Sequence, residues 1–514
     1  VDAALREALA AGRASLWQEG PLATQGRVEI AVPGTSLRLV FDVTAFKGGG
    51  LSVDAQFAND RAMEAIGGRL AYTATATLDG REVLRETVNQ MQYQSWNAEF
   101  SSNGRDGGQG LGSPEAGWLN IRHDVAKLGA LGVVADYDLT LSIPESTLAA
   151  KLALIQQPGW SAPLATNGVV QYMPMAGGRP DIGITTEPAT TWLITQDARA
   201  AAQAMGWAET AGAVPWRYWD AANNTWLNAG DYPVLWNQGR YGTGTGGNPN
   251  APGPTQVFDP KGGWIPEAAH QPDLSFVPYL LTGERWILDN LNAQAAWNTL
   301  YTWPGGTDQR SERYNTTTGA NDLVVRNVEV RAAGWALRQL ENAAWAAPDG
   351  SAEKAYFRST ADANWKWLVS QIPAWTARQG ETAGYLPIGW GNGLGVWQQD
   401  YFASTAILAA SRGNALASTF LNWMKNFLIG RFEQDPGVFN PRDGVAYRVA
   451  IAELNPATGY IYSQNAIAKT WAEIGRLTRT AGWSNGEGWD RSAGNYGMWA
   501  LSTLAGIYLL DGDP

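Results

Sequence analysis

Histidine occurs twice in the 514 residues, and one of the two, His270, sits in the run Glu267-Ala268-Ala269-His270-Gln271-Pro272-Asp273. That run places an imidazole, an amide and two carboxylates within seven residues. These are groups from which general acid–base catalysis is built. Similar polar clusters recur: Arg179-Pro180-Asp181, then Arg326, Glu329 and Arg331, then Trp397-Gln398-Gln399-Asp400-Tyr401, then Tyr460, Tyr462 and Gln464. Two chemistries fit. Glycoside hydrolysis needs two carboxylates about 5–9.5 Å apart, for which Asp273 and Asp400 are the leading pair, with Asp181 and Glu329 in reserve. Elimination at a uronate needs a base such as His270 or Tyr401 and a cation or amide to hold the carboxylate, here Arg179, Arg326, Arg331, Gln271 or Gln399. Plainer roles stand beside each. Asp273 and Asp400 equally suit helix N-termini, Glu329 and Arg331 an exposed ion pair, Asp181 a turn, and His270 a structural hydrogen bond.

Absences narrow the field. The chain has no cysteine, which removes disulfides, thiolate metal sites and cysteine nucleophiles. Two histidines are too few for a His-rich metal site. No Gly-x-Ser-x-Gly elbow and no phosphate-binding loop are present. Gly242-Thr243-Gly244-Thr245-Gly246-Gly247 runs into an Asn/Pro-rich stretch and reads as a loop. No cofactor is expected. The net charge of −11 and the lack of a basic stripe argue against a nucleic-acid partner. No uncharged apolar run is long enough to cross a membrane. The start Val1-Asp2-Ala3 suggests a processed or truncated product, and a secreted or periplasmic bacterial protein is expected. Oligomeric state is left open.

Tryptophan is the compositional outlier, with 26 copies. Most should pack helices. Several, however, lie in Gly/Asn/Pro loops: Trp216, Trp219, Trp226, Trp236, Trp264, Trp390, Trp483 and Trp489. A ring face covers the C–H face of a pyranose while neighbouring amides bind its hydroxyls. Trp264, Trp397, Tyr401 and Tyr462 are therefore candidate sugar contacts.

The elements that must position these groups fall into two parts, residues 1–165 and 166–514. Period-two alternation predicts strands at 27–32, 37–43, 51–57, 71–78, 82–86 and 137–143, with Asp79-Gly80 as a hairpin turn. A β-sandwich or barrel-like domain follows. Beyond it, helical periodicity predicts five αα-hairpins: 188–195 with 197–211, 272–282 with 284–302, 326–346 with 351–372, 396–411 with 414–432, and 463–480 with 494–510. Tight turns within hairpins and long aromatic loops between them are the wiring of an (α/α)5-6 toroid, with the loops gathered on one rim.

The helical part resembles the α/α-toroid carbohydrate-active enzymes, which include glycoside hydrolases and polysaccharide lyases. A β domain ahead of it is similar to the arrangement in rhamnogalacturonan-lyase-like bacterial proteins. The resemblance rests on the hairpin turns, on Ala269-His270-Gln271-Pro272-Asp273 and on Gln399-Asp400-Tyr401-Phe402. It implies a multidomain fold and an enzyme that degrades a polysaccharide or oligosaccharide. The glycoside hydrolase is the leading expectation; a polysaccharide lyase or a non-catalytic glycan-binding protein is the alternative.

Overall fold

Alternating apolar and polar residues between Ser15 and Ser101 form antiparallel strands, apart from the short Arg61–Ala62 segment, which pairs in parallel with Trp219–Asp220. The computed structural model describes residues 2–12, 14–64, 66–102, 121–175, 179–232, 235–238, 242–244, 262–301, 322–326, 329–387, 393–461, 466–484 and 496–512. A short helix α1 (Asp2–Ala10) precedes strands β1 (Ser15–Glu19), β2 (Ala23–Ala31), β3 (Arg38–Phe46), β4 (Leu51–Asn59), β5 (Arg61–Ala62), β6 (Leu70–Leu78), β7 (Arg81–Gln90) and β8 (Gln94–Ser101). The main sheet has the order β1-β2-β3-β4-β8, while β6 and β7 form a separate hairpin. The expected Asp79-Gly80 turn is present, with φ of 53° and 78°. Two successive positive φ values suit Asp-Gly and match the twist of the strands.

Register puts Leu39, Phe57 and Trp96 side by side, then Phe41, Ala55 and Ala98, then Val43, Val53 and Phe100. This apolar face packs against Tyr72, Ala74, Leu84 and Val88 of the β6–β7 hairpin. The Phe57 and Trp96 rings stack at 4.2 Å. The expected strand at 137–143 is not formed. There the Asp138 side chain accepts from the Thr140 amide at 3.0 Å and hydroxyl at 2.6 Å, and such local bonding competes with a sheet ladder.

The rest is mainly helical, with α2 (Val125–Ala130), α3 (Glu145–Ile155), α4 (Glu187–Thr195), α5 (Ala198–Ala213), α6 (Phe276–Thr282), α7 (Arg285–Leu300), α8 (Val330–Ala346), α9 (Ala352–Gln379), α10 (Val396–Ser411), α11 (Ala415–Glu433), α12 (Trp471–Thr480) and α13 (Tyr496–Asp511), and with short strands β9 (Trp219–Asp220), β10 (Thr225–Trp226), β11 (Trp236–Gln238) and β12 (Gly242–Gly244) in the loop after α5. Four expected hairpins form, each closed by local chemistry. Gln196 adopts a left-handed C-cap (φ 54°) and Asp197 caps α5. Gly283 does the same after α6 (φ 74°). Ser351 caps α9, and Asn414 caps α11. Such caps satisfy the backbone groups orphaned at helix ends. The fifth couple departs from expectation: α13 packs on α10 and α11 rather than pairing with α12.

Helix α8 lies against α7, α9 and α10, and α9 against α11. Helix α8 is buried nearly all round, whereas α9 and α11 bury one face each. The largest core cluster runs through α5, α7, α8, α10 and α11. No described helix is long and apolar enough to cross a membrane.

Candidate functional site

The first turns of α8 and α10 lie side by side, with the Arg331 amide donating to Gln398 Oε1 at 3.4 Å. Ile182, Trp335, Trp397 and Tyr401 make one apolar cluster there, flanked by Tyr496 and Trp499 of α13. Trp397 stacks on Tyr496 at 4.9 Å, with ring planes 8° apart, and on the half-exposed Tyr447 at 6.0 Å. Its indole donates to the Tyr447 carbonyl oxygen at 2.9 Å. The Arg331 guanidinium sits 5.1 Å from the Trp397 ring centroid and pairs with Glu329 at 2.7 Å. Cation–π contact and ion pair together fix that arginine.

Beside this platform, Arg179 forks onto Asp181 at 2.9 and 3.3 Å. It also donates to the carbonyls of Met173 (3.0 Å) and His270 (3.1 Å). His270 closes a 3-10 turn, and its Nδ1 lies 2.5 Å from Glu267 Oε2. Among the described residues Nε2 makes no hydrogen bond. A carboxylate on one ring nitrogen fixes orientation and tautomer and leaves the other nitrogen to act. Arg338 ties this corner to the platform: it donates to the carbonyls of Gly183 and Gln271 and lies 4.5 Å from the Trp335 ring centroid. Arg179, Asp181, His270 and Glu267 thus form one corner, and Glu329, Arg331 and Trp397 a second group at the first turns of α8 and α10, with Trp335 and Arg338 between them.

Other expected residues have different work. Asp273 accepts from the Ser275 and Phe276 amides at 3.3 and 3.1 Å, at the start of α6, and from Asn342 at 2.7 Å. Asp400 is buried with Arg431 at 2.5 Å. Burial pushes its carboxyl above the usual range in spite of the guanidinium and a Thr503 hydrogen bond. The two aspartates are not brought together. Gln398 is level with Arg331; at 1.5 Å per residue, Asn342 lies about 13 Å further along the helix axes than Asp400, beyond the span of a hydrolase pair.

Gln271 and Gln399 are fully buried amides. Gln271 bonds Asn298 and Gln294 at 2.7 and 2.8 Å, and Gln399 bonds the Leu386 backbone at 2.9 and 3.3 Å. Tyr401 is enclosed by Trp335, Trp397 and Trp499, and burial raises its pKa. Arg326 turns away to Trp367, 5.4 Å from that ring centroid. Trp216, Trp219, Trp226 and Trp264 are core residues rather than exposed platforms. Arg38, 3.7 Å above the Trp219 ring, and Arg217, 5.0 Å from Trp226, help explain why these loop rings are covered. Trp483 is partly buried, under Arg448. Tyr462, Gln464, Trp390 and Trp489 lie outside the described residues.

Tyr447, Tyr496 and Trp499 were not among the sequence candidates. The one signal for Tyr447 was its place in the long aromatic loop after α11. Among the described residues no group of three or more His, Asp or Glu suits a metal ion. Comparison with family models, curated proteins and solved structures finds no match for this chain.

Proposed function

We propose that the helical part is an α/α toroid, that its rim binds a carbohydrate polymer, and that the polymer is cleaved there by elimination at a uronate with His270 as base. Four antiparallel hairpins in succession, with α8 set between α7 and α10, support the toroid. The half-exposed Tyr447, backed by the buried Trp397 and by Tyr496, supports a sugar subsite, because a pyranose offers an apolar C–H face to such a ring.

The observation that carries the chemistry is the Glu267–His270 contact at 2.5 Å. Glu267 would hold the Nδ1 proton, so that Nε2 takes the proton from the carbon beside the uronate carboxylate. The electron pair so released forms a carbon–carbon double bond and expels the glycosidic oxygen, which takes a proton from water, and the imidazolium gives its proton back to solvent. Arg331, with Nη1 not used on Glu329, would hold the carboxylate. Such a polymer is met outside the cytoplasm, so this reading carries with it a secreted or periplasmic location.

The test is incubation with neutral and uronate-containing polysaccharides. New reducing ends with ultraviolet-absorbing unsaturated ends are expected from the uronate polymers, and His270→Gln should lose both. The net charge of −11 favours a second reading, hydrolysis of a neutral polymer by rim acids such as Glu329 and Asp181. Reducing ends without the absorbance would select it. Binding without cleavage would reduce the site to a glycan-binding module.

A further inference from the structure

One face of the five-stranded sheet is charged where it meets the helices. Register sets Arg27 opposite Asp42, Asp42 opposite Asp54, and Asp54 opposite Glu99, so that a single row crosses β2, β3, β4 and β8. Directly paired residues share a face. Helix α7 brings Arg285 and Asp289 to this row, and Glu284 stands at its N-terminus. Helix α5 brings Glu209. Glu99, Glu209 and Glu284 line one cavity together with Trp96, Met205 and Trp286, and Glu86 of β7 reaches it too.

The nearby cations are already engaged. Arg27 holds Asp42 at 2.6 Å and Asp289 at 2.8 Å. Arg38 holds Asp60 at 2.9 Å and Glu29 at 2.7 Å, and Arg217 holds Asp60 at 3.3 Å. Arg285 lies 3.7 Å from Asp42 and 4.8 Å from the Trp17 ring centroid, with Tyr279 of α6 within its field. Asp54, Glu99, Glu209 and Glu284 have no side-chain hydrogen bond or ion pair among the described residues. Four carboxylates therefore stand together without a direct ion pair, Arg27 acting on Asp54 only at a distance, and crowded, partly buried like charges resist ionising together.

We propose that this joint is a proton-operated latch: protonated carboxylates let the sheet and helices α5 and α7 close on each other, and their ionisation loosens that contact. Burial, with repulsion from Glu99, pushes Glu209 up to about 7. Burial, with repulsion from Glu99 and Asp42, does the same to Glu284, also up to about 7. Burial raises Glu99, and burial with repulsion from Glu284 and Glu99 carries Asp54 well above the usual range. The folded chain thus keeps protons that the unfolded chain gives up. The contribution is complete below the unfolded carboxylate pKa, is lost as pH rises through about 7, and is flat beyond. Below pH ~4 protonation of paired acids such as Asp289, which Arg27 lowers, acts the other way, so the window is roughly pH 5–8.

The test uses the full chain and makes no use of the proposed activity. Urea unfolding midpoints are measured from about pH 5 to 8.5 for the wild type, Glu209→Gln, Glu284→Gln and the double variant, with hydrogen exchange followed in β8, α5 and α7. The wild-type midpoint should fall with rising pH, and exchange in those segments should quicken beyond its intrinsic pH dependence. The double variant should be flatter and, at pH ~8, more stable than the wild type. A level wild-type profile, or an equal fall in the double variant, overturns the latch. Should the double variant fail to fold, proton release on unfolding the wild type at pH ~6 decides: about two protons support the proposal, and none refutes it.

Discussion

Replacing Asp400 by Asn separates a structural from a catalytic aspartate. Asp400 and Arg431 are both buried, 2.5 Å apart, and Arg431 also donates to the Val396 carbonyl oxygen at 3.3 Å. The amide leaves the guanidinium charge uncompensated in the core. Breaking a buried pair from one side costs about 3–5 kcal/mol. Burial already holds the Asp400 carboxyl above the usual range, so part of the pair's attraction is offset by desolvation, and the lower end, about 3 kcal/mol, is expected. Removing both charges, as Asp400→Leu with Arg431→Met, should restore stability to within about 1–2 kcal/mol of the wild type. Urea unfolding gives the first quantity, and polysaccharide cleavage by the folded fraction gives the second. The expected pattern is a large stability loss with specific activity of the folded protein kept within a few-fold. Asp400→Asn that is destabilised by less than about 1 kcal/mol yet has lost activity a hundredfold or more would refute the reasoning and return Asp400 to the chemistry.

Three further outcomes follow from the geometry. Glu267→Gln should leave the fold intact and cut cleavage by about 10²–10⁴-fold, mainly in kcat, because an amide no longer fixes the Nδ1 proton of His270; unchanged kcat would remove Glu267 from the account. Tyr447→Ala should raise KM about three- to tenfold with little change in kcat, because the half-exposed ring that would meet the sugar is removed, a loss on the order of 1 kcal/mol, read from initial rates against polymer concentration. Gly475→Ala should destabilise by about 1–3 kcal/mol in urea, since a Cβ on α12 would run into the Val438 carbonyl oxygen.

Periodicity and turn chemistry made much of the backbone legible. The strands expected at 27–32, 37–43, 51–57, 71–78 and 82–86, the Asp79-Gly80 turn and four helical hairpins follow from alternation, C-cap residues and N-caps, which are local signals, whereas β1, β5 and β8 were not foreseen. What failed was long-range. Nothing in the local sequence tells α13 to settle on α10 and α11 rather than α12. At 137–143 the alternation is real, but Asp138 bonds its own neighbourhood instead of a ladder. The site divides in the same way. His270, Arg179 and Asp181, singled out by type and position, meet at one corner, while Glu329, Arg331 and Trp397 meet at the first turns of α8 and α10, with Trp335 and Arg338 between the two groups. Asp273 and Asp400 were singled out by the same logic, yet one holds the start of α6 and the other neutralises Arg431, which arrives from thirty-one residues away. Burial decides between these roles, and burial is a property of packing. The loop tryptophans teach the same lesson: Trp219 and Trp226 stand in turn-rich sequence but are roofed by Arg38 and Arg217 from elsewhere in the chain.

The most direct test of the central claim is the product of His270→Gln beside that of the wild type on a uronate-containing polysaccharide, followed by ultraviolet absorbance and reducing-end assay on the same samples. The wild type should generate both signals together, and the variant, folded as judged by circular dichroism, should generate neither above background. An active wild type matched by an equally active His270→Gln, or a wild type that yields no product across neutral and uronate polymers, would contradict the account.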